Sequence, residues 1–165
     1  MAIFAMFAAL MLASKLAMEA LPNIHLIGMF VMLLTVVYRA QALIPVYLYA
    51  LLLGLCYGFD PTWWPIHLYV WTVLWGMTML LPKKMPDKVA AFVYPAVCAL
   101  HGLLFGVLSA PYCLLTFYGG WSLPKFIAYV AAGFQFDLLH AAGNLAFGFA
   151  ILPLSKLLLR LEKSA

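Results

Sequence analysis

Stretches of about 20 residues with almost no charge follow one another along the whole chain, and that continuity limits the fold more than any motif. A helix of this length crosses the hydrocarbon core of a bilayer, where every backbone N–H and C=O must find its partner inside the protein. Helix is therefore the expected state of each segment. The 165 residues are 68% hydrophobic and 8% charged, with a mean hydropathy of +1.08. A soluble domain is roughly 45–50% apolar and about 25% charged, so the chain reads as an integral membrane protein. On this reading the length holds about six spans and no soluble catalytic or ATP-binding domain, and any work comes from another protein or an ion gradient.

Breaks at Pro, Gly, Asn and charge predict spans at 2–20, 24–38, 41–58, 65–81, 89–112 and 125–159. Together they make one domain over 1–165, a single all-α bundle of six transmembrane helices. The first segment lacks a basic leader and an A-x-A cleavage site, so it is expected to stay on as a span. Arg39, Lys83, Lys84, Lys88, Lys156, Arg160 and Lys163 follow the second, fourth and sixth spans. The alternate loops hold Asn23, His25, Asp60, Trp63, Trp64, Tyr118 and Trp121, with Lys125 as their one base. The positive-inside rule then puts both termini in the cytoplasm and the Trp-rich loops outside. The last span is expected to run on into a basic amphipathic tail.

Ionisable groups inside spans are expensive and need a partner, water or a task. Asp137, His140 and Asn144 are three and four residues apart, on one face of the sixth span. Their depth matches that of His101 on the fifth, so they read either as an Asp–His pair fixing helix packing or as the floor of a ligand cavity or ion path. On the first span Lys15 and Glu19 are four apart and are expected to pair. Ala5, Ala9, Ala13 and Ala17 form a small-residue ladder on another face, open to close approach by a helix of this bundle or of a partner subunit. Trp63, Trp64 and Trp121, with His67 nearby, fit an interfacial aromatic belt. Beside Asn23, His25 and Asp60 they equally fit a lid that stacks on a planar ligand. Gly54/Gly58 and Gly102/Gly106 are spaced for helix packing.

Cys56, Cys98 and Cys113 show no CxxC spacing and read as small core residues rather than a disulfide or zinc framework. The chain has no phosphate loop, no HExxH helix and no GxSxG elbow. A dyad of Ser109 with His140, or a metal site from His101, Asp137 and His140, rests on residue types alone. Two alternatives to a binding subunit stay open: an intramembrane enzyme using His101, Asp137 and His140, and a proton-coupled carrier relaying protons through Asp137 and His140.

Six spans with both ends inside, the Ala-x-x-x-Ala ladder, the segment Ala20-Leu21-Pro22-Asn23-Ile24-His25-Leu26 and a polar, His-bearing sixth span resemble the substrate-binding S-components of energy-coupling factor (ECF) transporters. The stretches Ala42–Tyr47, Tyr69–Trp71 and Asp137–Asn144 add to the likeness, which covers essentially the full length. The resemblance implies a multi-pass protein of the bacterial plasma membrane that captures a vitamin or similar micronutrient from outside. It implies no enzyme activity, cofactor, resident metal or nucleic-acid partner in this chain. A transmembrane coupling subunit and two ATPases using ATP and Mg supply the work. The ladder Ala5, Ala9, Ala13, Ala17 carries over to the coupling-subunit interface, and Asn23, His25, Trp63, Trp64, His67, Trp121, Asp137, His140 and Asn144 to the ligand site. Ala2 stands where nickel and cobalt members have a histidine, which argues against a metal-ion substrate.

Overall fold

A computed structural model describes residues 2–164 of the chain. Among them are eight α-helices, one 3-10 turn and no strand: α1 (Ala2–Ala17), α2 (Ile27–Tyr38), the 3-10 turn Arg39–Ala42, α3 (Leu43–Tyr57), α4 (Trp64–Met79), α5 (Asp87–Leu103), α6 (Phe105–Thr116), α7 (Leu123–Gly148) and α8 (Ile151–Ser164). The helix starts follow local chemistry. Pro65 and Pro124 sit in the first turns of α4 and α7, where a missing N–H costs nothing, and the Ser122 hydroxyl caps α7 by accepting the Lys125 amide.

Two continuous helical stretches, Ile27–Tyr57 and Asp87–Thr116, are long and apolar enough to cross a membrane. A third qualifies if Leu123–Gly148 and Ile151–Lys163, bent by 46°, count as one span. The first stretch is folded back on itself. At Arg39 the backbone takes φ 55°, and the Trp75 indole donates to the Arg39 carbonyl at 3.1 Å while the Arg39 guanidinium donates to the Met79 carbonyl at 3.0 Å. The end of α4 thus meets the end of α2, whereas its start meets mid-α3 through the Trp64 indole and the Ala50 carbonyl, 2.9 Å apart. α2 therefore runs parallel to α4 and α3 runs antiparallel to both.

α2 is the axis of the molecule. Between Ile27 and Thr35 every residue except Phe30 is buried, as expected of a helix apolar on all sides. α4, α5, α7 and α8 surround it, with α1 and α3 to one side. α5, α6 and α7 form one long antiparallel seam: Gly148 lies on Pro95, Asn144 bonds Cys98, the His140–Ala141 backbone covers Gly102, Asp137 meets Gly106 and Tyr129 meets Cys113. A Cβ on Gly102 would lie 2.9 Å from the Ala141 nitrogen, so glycine there is what lets the two backbones touch.

Two of the segments expected as spans are interrupted. The fifth runs from Asp87 to Thr116 with a break at Leu104, where the Gly106 amide leaves the helix for the Asp137 carboxylate. The sixth, expected as 125–159, divides at Phe149-Ala150, because Pro153 has no N–H for the Phe149 carbonyl. Beyond the bend α8 lies against α2 and α5. Ser155 is buried there, while Lys156, Leu157, Arg160 and Leu161 are exposed. The expected Lys15–Glu19 pair does not form: the only ion pair among the described residues is Lys156–Asp87. Cys56 is exposed rather than in the core, and Cys98 and Cys113 are buried.

Candidate functional site

The helix ends fall into two sets. One gathers Arg39, the loop with Lys83 and Lys84, and α8, and it holds seven of the nine basic residues. At the other end the connections 18–26, 58–63 and 117–122 converge, and two cavities adjoin there. The larger, about 730 Å³, lies between α6 and α7 and is walled by Phe105, Ser109, Tyr129, Phe136 and Asp137. The smaller, about 370 Å³, lies between α1, α3, α4 and α7 and takes in Lys15, His25, Trp63, His67, Trp71 and His140. Asn23 and Phe105 line both and form the partition between them. Asn23 stands at φ 57°, a left-handed conformation that asparagine tolerates better than most residues.

All four histidines of the chain gather around Trp71. Ring centroids lie 5.7 Å from Trp71 for His25, 6.3 Å for His67, 5.6 Å for His101 and 6.2 Å for His140. His25 and His140 are edge-on at 4.9 Å. Two of the rings are fixed by backbone carbonyls, which can only accept: His101 Nε2 donates to Val70 at 2.9 Å and His67 Nδ1 to Trp63 at 3.1 Å. The other two have no such anchor, and His25 Nδ1 and His140 Nε2 are buried with no hydrogen-bond partner. Burial, then the neighbouring His140, Lys15 and His67, hold the His25 imidazole well below its ordinary range. Among the described residues no three His, Cys, Asp or Glu side chains are grouped so as to hold a metal ion.

Of the residues expected at a ligand site, Asn23, His25, Trp63, His67 and His140 line the smaller cavity and Asp137 the larger. The other three lie elsewhere. Trp64 clasps α3, with its ring 5.0 Å from Phe59 and its indole on Ala50. Trp121 is 57% exposed in the loop before α7 and lines none of the cavities described. Asn144, 1% exposed, donates to the Cys98 carbonyl at 3.0 Å and packs on Gly28, so it ties α7 to α5 and α2.

Asp137, though on a cavity wall, accepts the Gly106 amide at 3.1 and 3.2 Å and so caps α6 from a neighbouring helix. The expected Asp–His pair is absent, since His101 is bonded to Val70 and Asp137 to Gly106. Ser109 donates to the Gly106 carbonyl rather than to His140. On the rim, the Asp60 carboxylate is held below its usual range by the hydroxyl and amide of Thr62.

Sequence reasoning missed Trp71 as the hub of the histidines and Phe105 as the partition. It also missed Lys15 as a cavity residue. α1 buries Phe4, Phe7, Ala8 and Met11, a stripe at steps of three and four that reaches Lys15 next. Glu19 is diverted, accepting the Tyr57 hydroxyl at 3.0 Å. Ala5, Ala9, Ala13 and Ala17 are all exposed on the outer side of α1. No family model matches the chain, and no curated protein or solved structure is significantly similar to it.

Proposed function

We propose that this chain is the substrate-capture subunit of an ECF-type importer, a six-span protein of the bacterial plasma membrane that binds a small water-soluble vitamin or related micronutrient from outside. The observation that carries this reading is the pair of adjoining cavities at the loop end, opposite the basic end, the smaller one lined by Trp71, His25, His67 and His140. A cavity of 300–1,000 Å³ with mostly apolar walls and a few convergent polar groups suits capture of a small molecule. Under the positive-inside rule it opens outward. The exposed alanine ladder on α1 supports docking of a coupling subunit, because small residues every four positions let a second helix approach closely. Two partner ATPases then supply ATP hydrolysis with Mg.

The test separates capture from coupling. Ala9→Trp and Ala13→Trp add bulk to an exposed face of α1. They are expected to leave ligand binding by the detergent-solubilised subunit unchanged while abolishing uptake by vesicles containing the whole complex. Loss of binding in step with uptake would place the ladder inside the bundle's own packing instead.

A further inference from the structure

The smaller cavity holds a lysine that no carboxylate contacts, although Glu19 lines the same cavity one turn further along α1. Lys15 is the continuation of the buried stripe of α1 and lines that cavity, yet among the described residues it makes no hydrogen bond or ion pair. Its expected partner Glu19 is on the rim of the same cavity, but it is exposed and accepts the Tyr57 hydroxyl instead of pairing with Lys15. The other cavity lysine, Lys125, is satisfied by the carbonyls of Tyr118, Gly119 and Gly120 at 2.7, 3.2 and 3.4 Å. A half-buried ammonium on a cavity wall, with the nearest carboxylate engaged elsewhere, is free to take an anionic ligand group. Beside it, His25 and His140 carry ring nitrogens that are buried and unpartnered, and His140 is itself 2% exposed. Trp63 and Trp71 supply flat apolar faces in the same cavity.

We infer that the molecule captured here is an acid, whose carboxylate seats against Lys15 in the histidine cavity while its ring or chain lies on Trp63 and Trp71 and reaches past Asn23 and Phe105 toward the larger cavity. The inference rests on the capture reading above and narrows it to one substrate class. Lys15 makes the charge-assisted contact, and the unpartnered ring nitrogens His25 Nδ1 and His140 Nε2 are placed to donate to the same group.

The experiment titrates the purified subunit, followed by Trp fluorescence, with matched probes: nicotinate against nicotinamide, biotin against its amide, lipoate against lipoamide, and pantothenate, with thiamine, riboflavin and pyridoxine as neutral or cationic members. An acid is expected to bind, its amide to bind about ten- to a hundredfold more weakly, and Lys15→Met to remove most of that difference. Lys15→Arg, which keeps the charge, should restore the preference, and an unchanged melting temperature of Lys15→Met shows that the fold survives. Equal binding of acid and amide, or an acid preference that survives Lys15→Met, overturns the inference and leaves capture standing. So does tight binding of only a neutral or cationic probe. No binding by any member overturns the capture reading together with the inference.

Discussion

Burial keeps His25 from taking a proton in the folded chain, and that has a consequence for stability. The unfolded imidazole titrates near 6.5 and the folded one well below it, so at mildly acidic pH the unfolded state binds the extra proton. The stability that His25 contributes is complete above about pH 6.5 and is lost as pH falls toward the folded value, at up to about 1.4 kcal/mol per pH unit. The groups around it are Lys15 and Glu19 from the α1 side, Tyr57 from α3, His67 from α4 and His140 from α7. None but Glu19 offers an acid, and Tyr57 already occupies that carboxylate. Melting temperatures in detergent should therefore drop between pH 7 and pH 5, and His25→Gln should make the drop shallower. At this scale the sequence was only half legible. The spacing of Asp137, His140 and Asn144 rightly put them on one buried face. Spacing carries no information about partners, however, and the three reach a helix end, a cavity and a carbonyl on α5.

The seam of α5 and α6 with α7 is the element on which the loop end depends. Gly102 meets backbone, which cannot move aside as a flexible side chain can. Gly102→Val should cost at least about 1–3 kcal/mol by overpacking, read as a lower melting temperature of the purified protein. Asp137 tests a different part of the seam. Asp137→Ala leaves the Gly106 amide unpaired and should destabilise by about 1–2 kcal/mol, whereas Asp137→Asn keeps an acceptor oxygen and most of the stability. If both variants melt like the parent, the cap contributes nothing. Helix limits set by proline or loop polarity were readable, as at Trp64 and Leu123. The break at Leu104 was not, because its cause is a carboxylate 31 residues away. The reversal at Arg39 was legible as a short charged connection, but the anchors holding it there, Trp75 and Met79, belong to another helix.

Taken whole, the molecule is polarised, with seven of its nine bases at one end and the two cavities of the candidate site at the other. In cells this predicts that a cysteine at Trp121 reacts with a membrane-impermeant thiol reagent added outside, and one at Lys84 only after permeabilisation. The background is Cys56→Ser, since Cys56 is the exposed native thiol. The reverse pattern would invert the topology. Helical content and the crowding of apolar segments were evident from composition. The meeting of four histidines from the loop before α2 and from α4, α5 and α7 around one tryptophan was not, because residues far apart in sequence carry no mark of shared depth. α1 stands at the edge of this assembly and keeps two separate records on one rod. Positions 5, 9, 13 and 17 face away from the bundle, and position 15 faces the cavity, about 200° around the axis from position 13. Substitution on one face leaves the other in place, so under the proposed function ligand preference and the docking surface can diverge independently during descent, without either change passing through a broken fold.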